Sequence, residues 1–306
     1  MEQLAALIAA TLSAGTPLLL AGIGLLINER SGVLNLGAEG MMLIAAAAGF
    51  AVGFHTGSAT AGLIAGAGAG MLFSLIFSGL AIGLVTNQYA TGLALTLFGA
   101  GLSAFAGLAY VGKSVPFKTT FEIPGLAEIP FFGTALFKLH PMVYLALVLT
   151  AVVAWVLART RLGLTIRAVG ESPESAHAIG YPVRLIRVGT VAFGGACCGL
   201  AGAYLSVIYT PLWVEGMVAG RGWIALALTT FATWRPVRVL LGAYLFGGVT
   251  MLQFALQGAG VDVSSQLLAM LPYIATIVVL ALISRNPAWI RINMPASLGK
   301  PFHPGT

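Results

Sequence analysis

The sequence predicts an all-α, polytopic transmembrane helical bundle of about nine spans (eight to ten), some of them broken or short. Two observations carry this expectation. The 306 residues are 58% hydrophobic and 8% charged, whereas soluble globular domains carry roughly a quarter of charged residues. The charges are also clumped: between Glu39 and Lys113 lie 73 consecutive residues without Asp, Glu, Lys or Arg. A chain crossing a hydrocarbon layer of ~30 Å about three times needs such a run, and a buried helix of a soluble protein does not. A soluble enzyme, a nucleic-acid binder and a secreted disulfide scaffold are excluded.

Each span follows from a charge-free interval. The first lies near 4–27, and the 73-residue run holds three more, near 33–54, 60–84 and 90–111. Later intervals give spans near 140–158, 188–210, 238–257 and 265–284. The stretch 222–234, between Arg221 and Arg235, is shorter. At about 20 Å of helix it is a tilted short span or a half-helix facing protein or water. Pro17 and Pro272 fall inside spans, where each is expected to kink the helix and free a carbonyl. The first segment lacks the positive region of a signal peptide and reads as an uncleaved span.

The other bulk features agree. Forty glycines suit helices that pack through small residues. Cys197 and Cys198 are adjacent within an apolar run and offer neither a metal-ligand spacing nor a disulfide framework. The formal charge of +6 is spread along the chain, as a difference between the two membrane faces would spread it.

Orientation follows from the short basic loops. Arg159, Arg161, Arg167, Arg184 and Arg187 crowd residues 159–187, which makes that loop cytoplasmic. Alternation then puts eleven of the fifteen basic residues inside, with the 112–138 loop outside. Nine crossings place the amino terminus outside and the tail 285–306 inside. If the polar, Gly-broken stretch 28–40 is re-entrant rather than a simple turn, the amino terminus is inside instead. The tail, with Pro287, Pro295, Pro301 and Pro304, is expected to be extended or disordered. The whole chain reads as one transmembrane domain, with a faint echo between the helices opening at Gly40 and Gly222. They would cross in opposite directions, the pattern of an inverted repeat.

One motif imitates a nucleotide site. Gly107 to Ser114 spells G-x-x-x-x-G-K-S. A phosphate-binding loop follows a strand and opens a helix. Here the glycines finish an apolar helix and Pro116 follows, so the match is accidental. The histidines are scattered singly and no metal, serine-elbow or other catalytic pattern is present, so neither an enzyme activity nor a cofactor is expected. Ion-driven transport calls for ionisable groups in mid-span, and the spans from 41 to 111 and 139 to 158 have none.

Two polar constellations remain. Asn28 to Gly40, with three glycines in nine residues, permits unwound backbone at membrane depth, tolerated only beside protein or a water-filled cavity. Asn35, Gly37, Glu39 and Gly40 are candidate lining residues of a translocation path; an ordinary interfacial turn is the alternative. The second is residues 159–187. Ser172-Pro173-Glu174 is a helix start and Gly180 a stop, predicting a short helix near 173–179. On the cytoplasmic face it is a docking element for a soluble partner, or else part of a solvated basic loop.

At these two places the chain resembles a known family. The run from Gly24 through Asn28-Glu29-Arg30-Ser31-Gly32-Val33-Leu34-Asn35-Leu36-Gly37-Ala38-Glu39-Gly40-Met41-Met42 is similar to permeases of bacterial ABC importers in the ribose and branched-chain amino-acid superfamily. Within it, the wording looks most like the shorter permease of general nucleoside importers. Residues 163–180, the Gly194–Gly202 cluster and the segment from Gly220 to Pro236 resemble that family too, so that the likeness covers roughly 14–285. Ala38 and Asn28 are mild departures. The resemblance implies a multi-pass permease of the bacterial inner membrane, importing a nucleoside or, alternatively, a simple sugar. Its implied partners are separate ABC ATPase subunits, a second and longer permease paralogue, an extracytoplasmic solute-binding protein and membrane lipid, with no nucleic acid. The ATPase would dock on 173–180. Arg167, Glu171 and Glu174 would make polar contacts, Ala176 and Gly180 would permit close approach, and Gly170 and Pro173 would shape the element. An ion-coupled carrier acting alone and a non-transporting scaffold are the readings from other classes.

Overall fold

A computed structural model of the chain describes residues 2–117, 120–258 and 293–303, with isolated positions between 264 and 281. The helices are α1 (Glu2–Arg30), α2 (Ala38–Thr56), α3 (Ala59–Ser78, continued by a π turn Gly79–Gly83), α4 (Gln88–Gly107) and α5 (Pro141–Arg159). After them come α6 (Arg161–Glu171), α7 (Pro173–Ala178), α8 (Val183–Tyr204, continued by a π turn Leu205–Tyr209), α9 (Arg221–Phe231) and α10 (Pro236–Gly258). The protein is an all-α polytopic bundle. Among the described residues, seven helices are long and apolar enough to cross a membrane: α1 to α5, α8 and α10. Helix α9 has 11 residues, too few to span. The span expected at 265–284, with Pro272, lies largely outside the described residues.

Helices α1, α2, α3 and α8 form the centre. The α3–α8 pair owes its closeness to glycine. A Cβ on Gly70 would lie 2.4 Å from the Gly195 carbonyl oxygen, and one on Gly199 would lie 2.3 Å from that of Gly66. Backbones in contact gain dispersion without a side-chain entropy cost, the packing that apolar solvent favours. Helix α1 runs unbroken through Pro17. Proline cannot donate to the carbonyl four residues back. Here that carbonyl, Ser13, accepts from the Tyr204 hydroxyl at 3.3 Å.

The two ends of the bundle differ. One end gathers Arg30, the last turn of α5, α6, α7, the start of α8 and the junction 232–235. The opposite end carries the Glu122–Lys138 ion pair at 3.5 Å and the loop after α4. Lys113 lies there over the Phe54 and Tyr110 rings, 5.1 and 5.6 Å from their centroids. Gly112 is in a left-handed turn (φ +76°) that opens no helix, so the apparent phosphate loop has no phosphate-loop geometry.

Two expectations are corrected at the basic end. Residues 159–187 are not a loop with one short helix: Thr160 caps a further helix, α6, which lies ahead of α7. The tail is not extended or disordered over 293–303. It folds back in turns against the bundle, held by Gly170, Gly32, Gln88 and Arg187. Its prolines suit turns as readily as extended chain.

Candidate functional site

After α1 ends, Ser31 to Gly37 form a turn in which Gly32 takes a φ of +87°, natural only for glycine. Its backbone is buried, so its polar groups must be paired. The Asn35 side-chain oxygen accepts from Gly37 N–H at 2.9 Å, and the Asn35 amide nitrogen faces Met41 sulfur at 3.6 Å. Helix α4 supplies the rest. Leu34 N–H donates to Gln88 Oε1 at 2.8 Å, and the Thr96 hydroxyl donates to Leu36 C=O at 2.9 Å. Gly40 lies where a Cβ would sit 2.7 Å from the Leu95 oxygen. Gln88 and Thr96 were not among the sequence candidates, because nothing in their spacing links them to a turn some 60 residues away.

Glu39 sits in the first turn of α2 and is 7% exposed. Its two carboxylate oxygens accept from the N–H groups of Gly220 and Gly222, at 2.8 and 2.7 Å. Those amides begin α9. Two helix N-termini, each with partial positive charge, thus converge on one carboxylate. A Cβ on Gly222 would lie 2.6 Å from Glu39 Cα, so only glycine allows this approach.

The other end of α9 meets the end of α1. The Glu29 carboxylate accepts from the Thr229 hydroxyl at 2.8 Å and from Trp234 Nε1 at 2.5 Å. The Arg30 guanidinium donates to Trp234 C=O and to Asn293 C=O. From Gly222 to Thr229 a helix rises roughly 10 Å. Glu39 therefore lies about that much deeper in the bundle than Glu29. The segment Ser31 to Gly37 thus leads from the end of α1 back into the bundle interior, where Glu39 meets the start of α9. Helices α2 and α9 meet N-terminus to N-terminus, with the chain entering each from opposite ends. Asn35, Gly37, Glu39 and Gly40 come together here, all buried within the protomer.

The second constellation is at the basic end. Ser172 is the N-cap of α7, its hydroxyl accepting from Ser175 N–H at 3.3 Å. Arg167, Glu171, Glu174 and Gly180 are exposed, whereas Gly170, Pro173 and Ala176 are buried. Ala176 is thus packed among Val169, Val183 and Phe302 rather than open to a partner. The large apolar groups most exposed beside α7 are Ile179 and Leu185, at 73% and 70%. Gly180 (φ +93°) reverses the chain between them.

A bundle of this kind, with broken helices meeting in its interior, is the architecture of a membrane permease. The chain matches the family model described as branched-chain amino acid transport system, permease component, over residues 7–283. It belongs to that family. It is 43% identical to a putative glucose ABC transporter permease, TsgC13, of Haloferax volcanii, over 97% of both chains. It is 32% identical to the guanosine ABC transporter permease NupQ of Bacillus subtilis, over 92% of both. The nucleoside ABC transporter permease NupC of Lactococcus lactis is 31% identical over 92% of this chain and 93% of its own. No solved structure matches the chain. The protein is an ABC transporter permease subunit, a multi-pass protein of the inner membrane. Permeases of this class work with an ATPase and a substrate-binding protein and are transport subunits, not enzymes.

Proposed function

We propose that this chain forms half of the translocation path of an ATP-driven importer for a small, neutral, hydroxyl-rich solute. A simple sugar is the first reading and a nucleoside the second. The near full-length similarity to a glucose permease favours the sugar. The two nucleoside permeases and the wording of the 24–42 segment support the nucleoside. The basic end faces the cytoplasm, as the excess of Arg and Lys there requires. The path runs beside the Glu39 junction, where hydrogen bonds hold the N-termini of α2 and α9 together in the bundle interior. The second permease is a longer paralogue, and an extracytoplasmic binding protein delivers the solute.

The observation that carries the reading is α7. It is a short capped helix at the basic end, with charged Glu174 and apolar Ile179 and Leu185 presented together to solvent. Such a surface suits an ATPase, whose closure would push α7 as a lever. Arg167, Glu171 and Glu174 add polar contacts, while Gly170, Pro173 and Ala176 hold α7 on the bundle.

The test is uptake in proteoliposomes holding this chain with its ATPase, second permease and binding protein. Labelled glucose and labelled guanosine are offered with and without ATP, each competed by the other. ATP-dependent uptake of one of them is expected. Uptake by this chain alone, driven by an ion gradient and indifferent to ATP, would sink the proposal.

A further inference from the structure

Residues 293–303 touch both constellations at once. Ser297 donates its N–H and its hydroxyl to the Gly170 carbonyl, at 3.0 and 2.7 Å. Gly299 N–H donates to the Gly32 carbonyl in the turn after α1 at 3.1 Å. The Lys300 carbonyl accepts from Gln88 Nε2 and from Arg187 Nη1, both at 3.3 Å. Phe302 is packed with Val169, Ala176 and Val183, and its ring lies edge-on to His177, 5.6 Å between centroids. One peptide segment thus joins the inner face of α7 to the turn that leads to Glu39.

Arg187 fixes the middle of this connection. Its guanidinium is 2% exposed and donates to the Ser31 carbonyl, the Ser297 hydroxyl and the Lys300 carbonyl. A buried guanidinium is tolerated only with its donors used. Two of the three acceptors belong to the tail and one to the turn, so a displacement of the tail relative to the turn would strand donors. Gly32 is equally confined, since a Cβ there would lie 2.3 Å from the Ser297 hydroxyl oxygen.

We infer that the segment 297–302 is a strap that transmits displacement of α7 to the turn after α1, with Phe302 and Ser297 as its positioning residues. This rests on α7 being the helix that receives the ATPase. Phe302 moves with α7 through apolar packing. Gly299 and Lys300 carry the motion to Gly32 and Ser31, and the turn passes it through Asn35 and Gly37 to Glu39 and the start of α9. An ATPase bound to a strapless permease would hydrolyse ATP without moving the junction.

The experiment uses the complete importer in proteoliposomes, with glucose or guanosine as the probe according to which the wild type imports. Phe302→Ala, Ser297→Ala and a chain ending at residue 293 are compared with Phe302→Leu and with the surface variant Ile179→Asp. The readouts are ATPase capture by the detergent-solubilised permease, ATP hydrolysed, and solute imported per ATP. Phe302→Ala and the shortened chain should capture the ATPase as wild type does, yet import roughly fivefold less solute per ATP or lower still. Ser297→Ala should fall between them and wild type, and Phe302→Leu should restore most of the ratio. An unchanged ratio in Phe302→Ala and the shortened chain overturns the strap. Loss of ATPase capture in Phe302→Ala also overturns it, because Phe302 would then only support the docking surface. Normal capture by Ile179→Asp counts instead against α7 as the docking helix, so the two failures are told apart.

Discussion

Gly222 donates its backbone N–H to the Glu39 carboxylate at 2.7 Å, across 183 positions of sequence, and Gly220 donates to the other oxygen. Both partners of this carboxylate are donors that cannot accept. Glu39→Gln therefore leaves one N–H facing an amide NH2 group. It should cost about 1–3 kcal/mol, seen as a lower melting temperature of the detergent-solubilised protein and as slower uptake. Glu39→Ala should be worse, because both amides lose their partner. Wild-type melting and uptake in Glu39→Gln would show that the carboxylate does not hold α9.

Glu29 should respond differently to the same change. Its partners are Trp234 Nε1, a donor, and the Thr229 hydroxyl, which both donates and accepts. In Glu29→Gln the amide oxygen can accept from Trp234. The NH2 group can donate to Thr229, whose own proton then serves the Leu226 carbonyl at 2.8 Å. Glu29→Gln should melt close to wild type. Glu29→Leu, which strands both groups, should lose about 1–3 kcal/mol. Equal losses in the two variants would contradict this arrangement.

The α3–α8 contact gives a paired prediction on one helix. Gly68 has open space where a Cβ would go, whereas at Gly70 a Cβ would meet the Gly195 oxygen at 2.4 Å. Gly70→Ala should destabilise by about 1–3 kcal/mol through overpacking. Gly68→Ala should be neutral or slightly stabilising, since it adds helix propensity without a clash. Thermal melts of the two variants in one detergent settle the comparison.

At the basic end, Leu185→Asp should weaken ATPase capture at least tenfold while leaving the melting temperature within a degree or so, as expected of an exposed position. Unaltered capture in both Leu185→Asp and Ile179→Asp would remove the apolar docking surface.

The sequence by itself determined the class of this protein and most of its helices. Hydrocarbon imposes charge-free lengths and internally paired backbone, and both are local properties that the 73-residue run displays directly. The cap at Ser172 was legible for the same reason: Ser-Pro-Glu acts within one helical turn. So was the special character of residues 28–40, whose glycines and polar groups do not suit a continuous span. Tertiary structure alone decided what these residues touch. That Glu39 binds α9, that Gln88 and Thr96 from α4 pair the buried turn after α1, and that the proline-bearing tail packs beneath α7 all depend on partners tens to hundreds of positions apart. Helix α6 escaped notice because its basic, amphipathic sequence looks like a solvated loop until the bundle offers its apolar face a surface. The uncharged run announced a membrane, while the partners of the charges that flank it, Glu39 among them, came only from the tertiary structure.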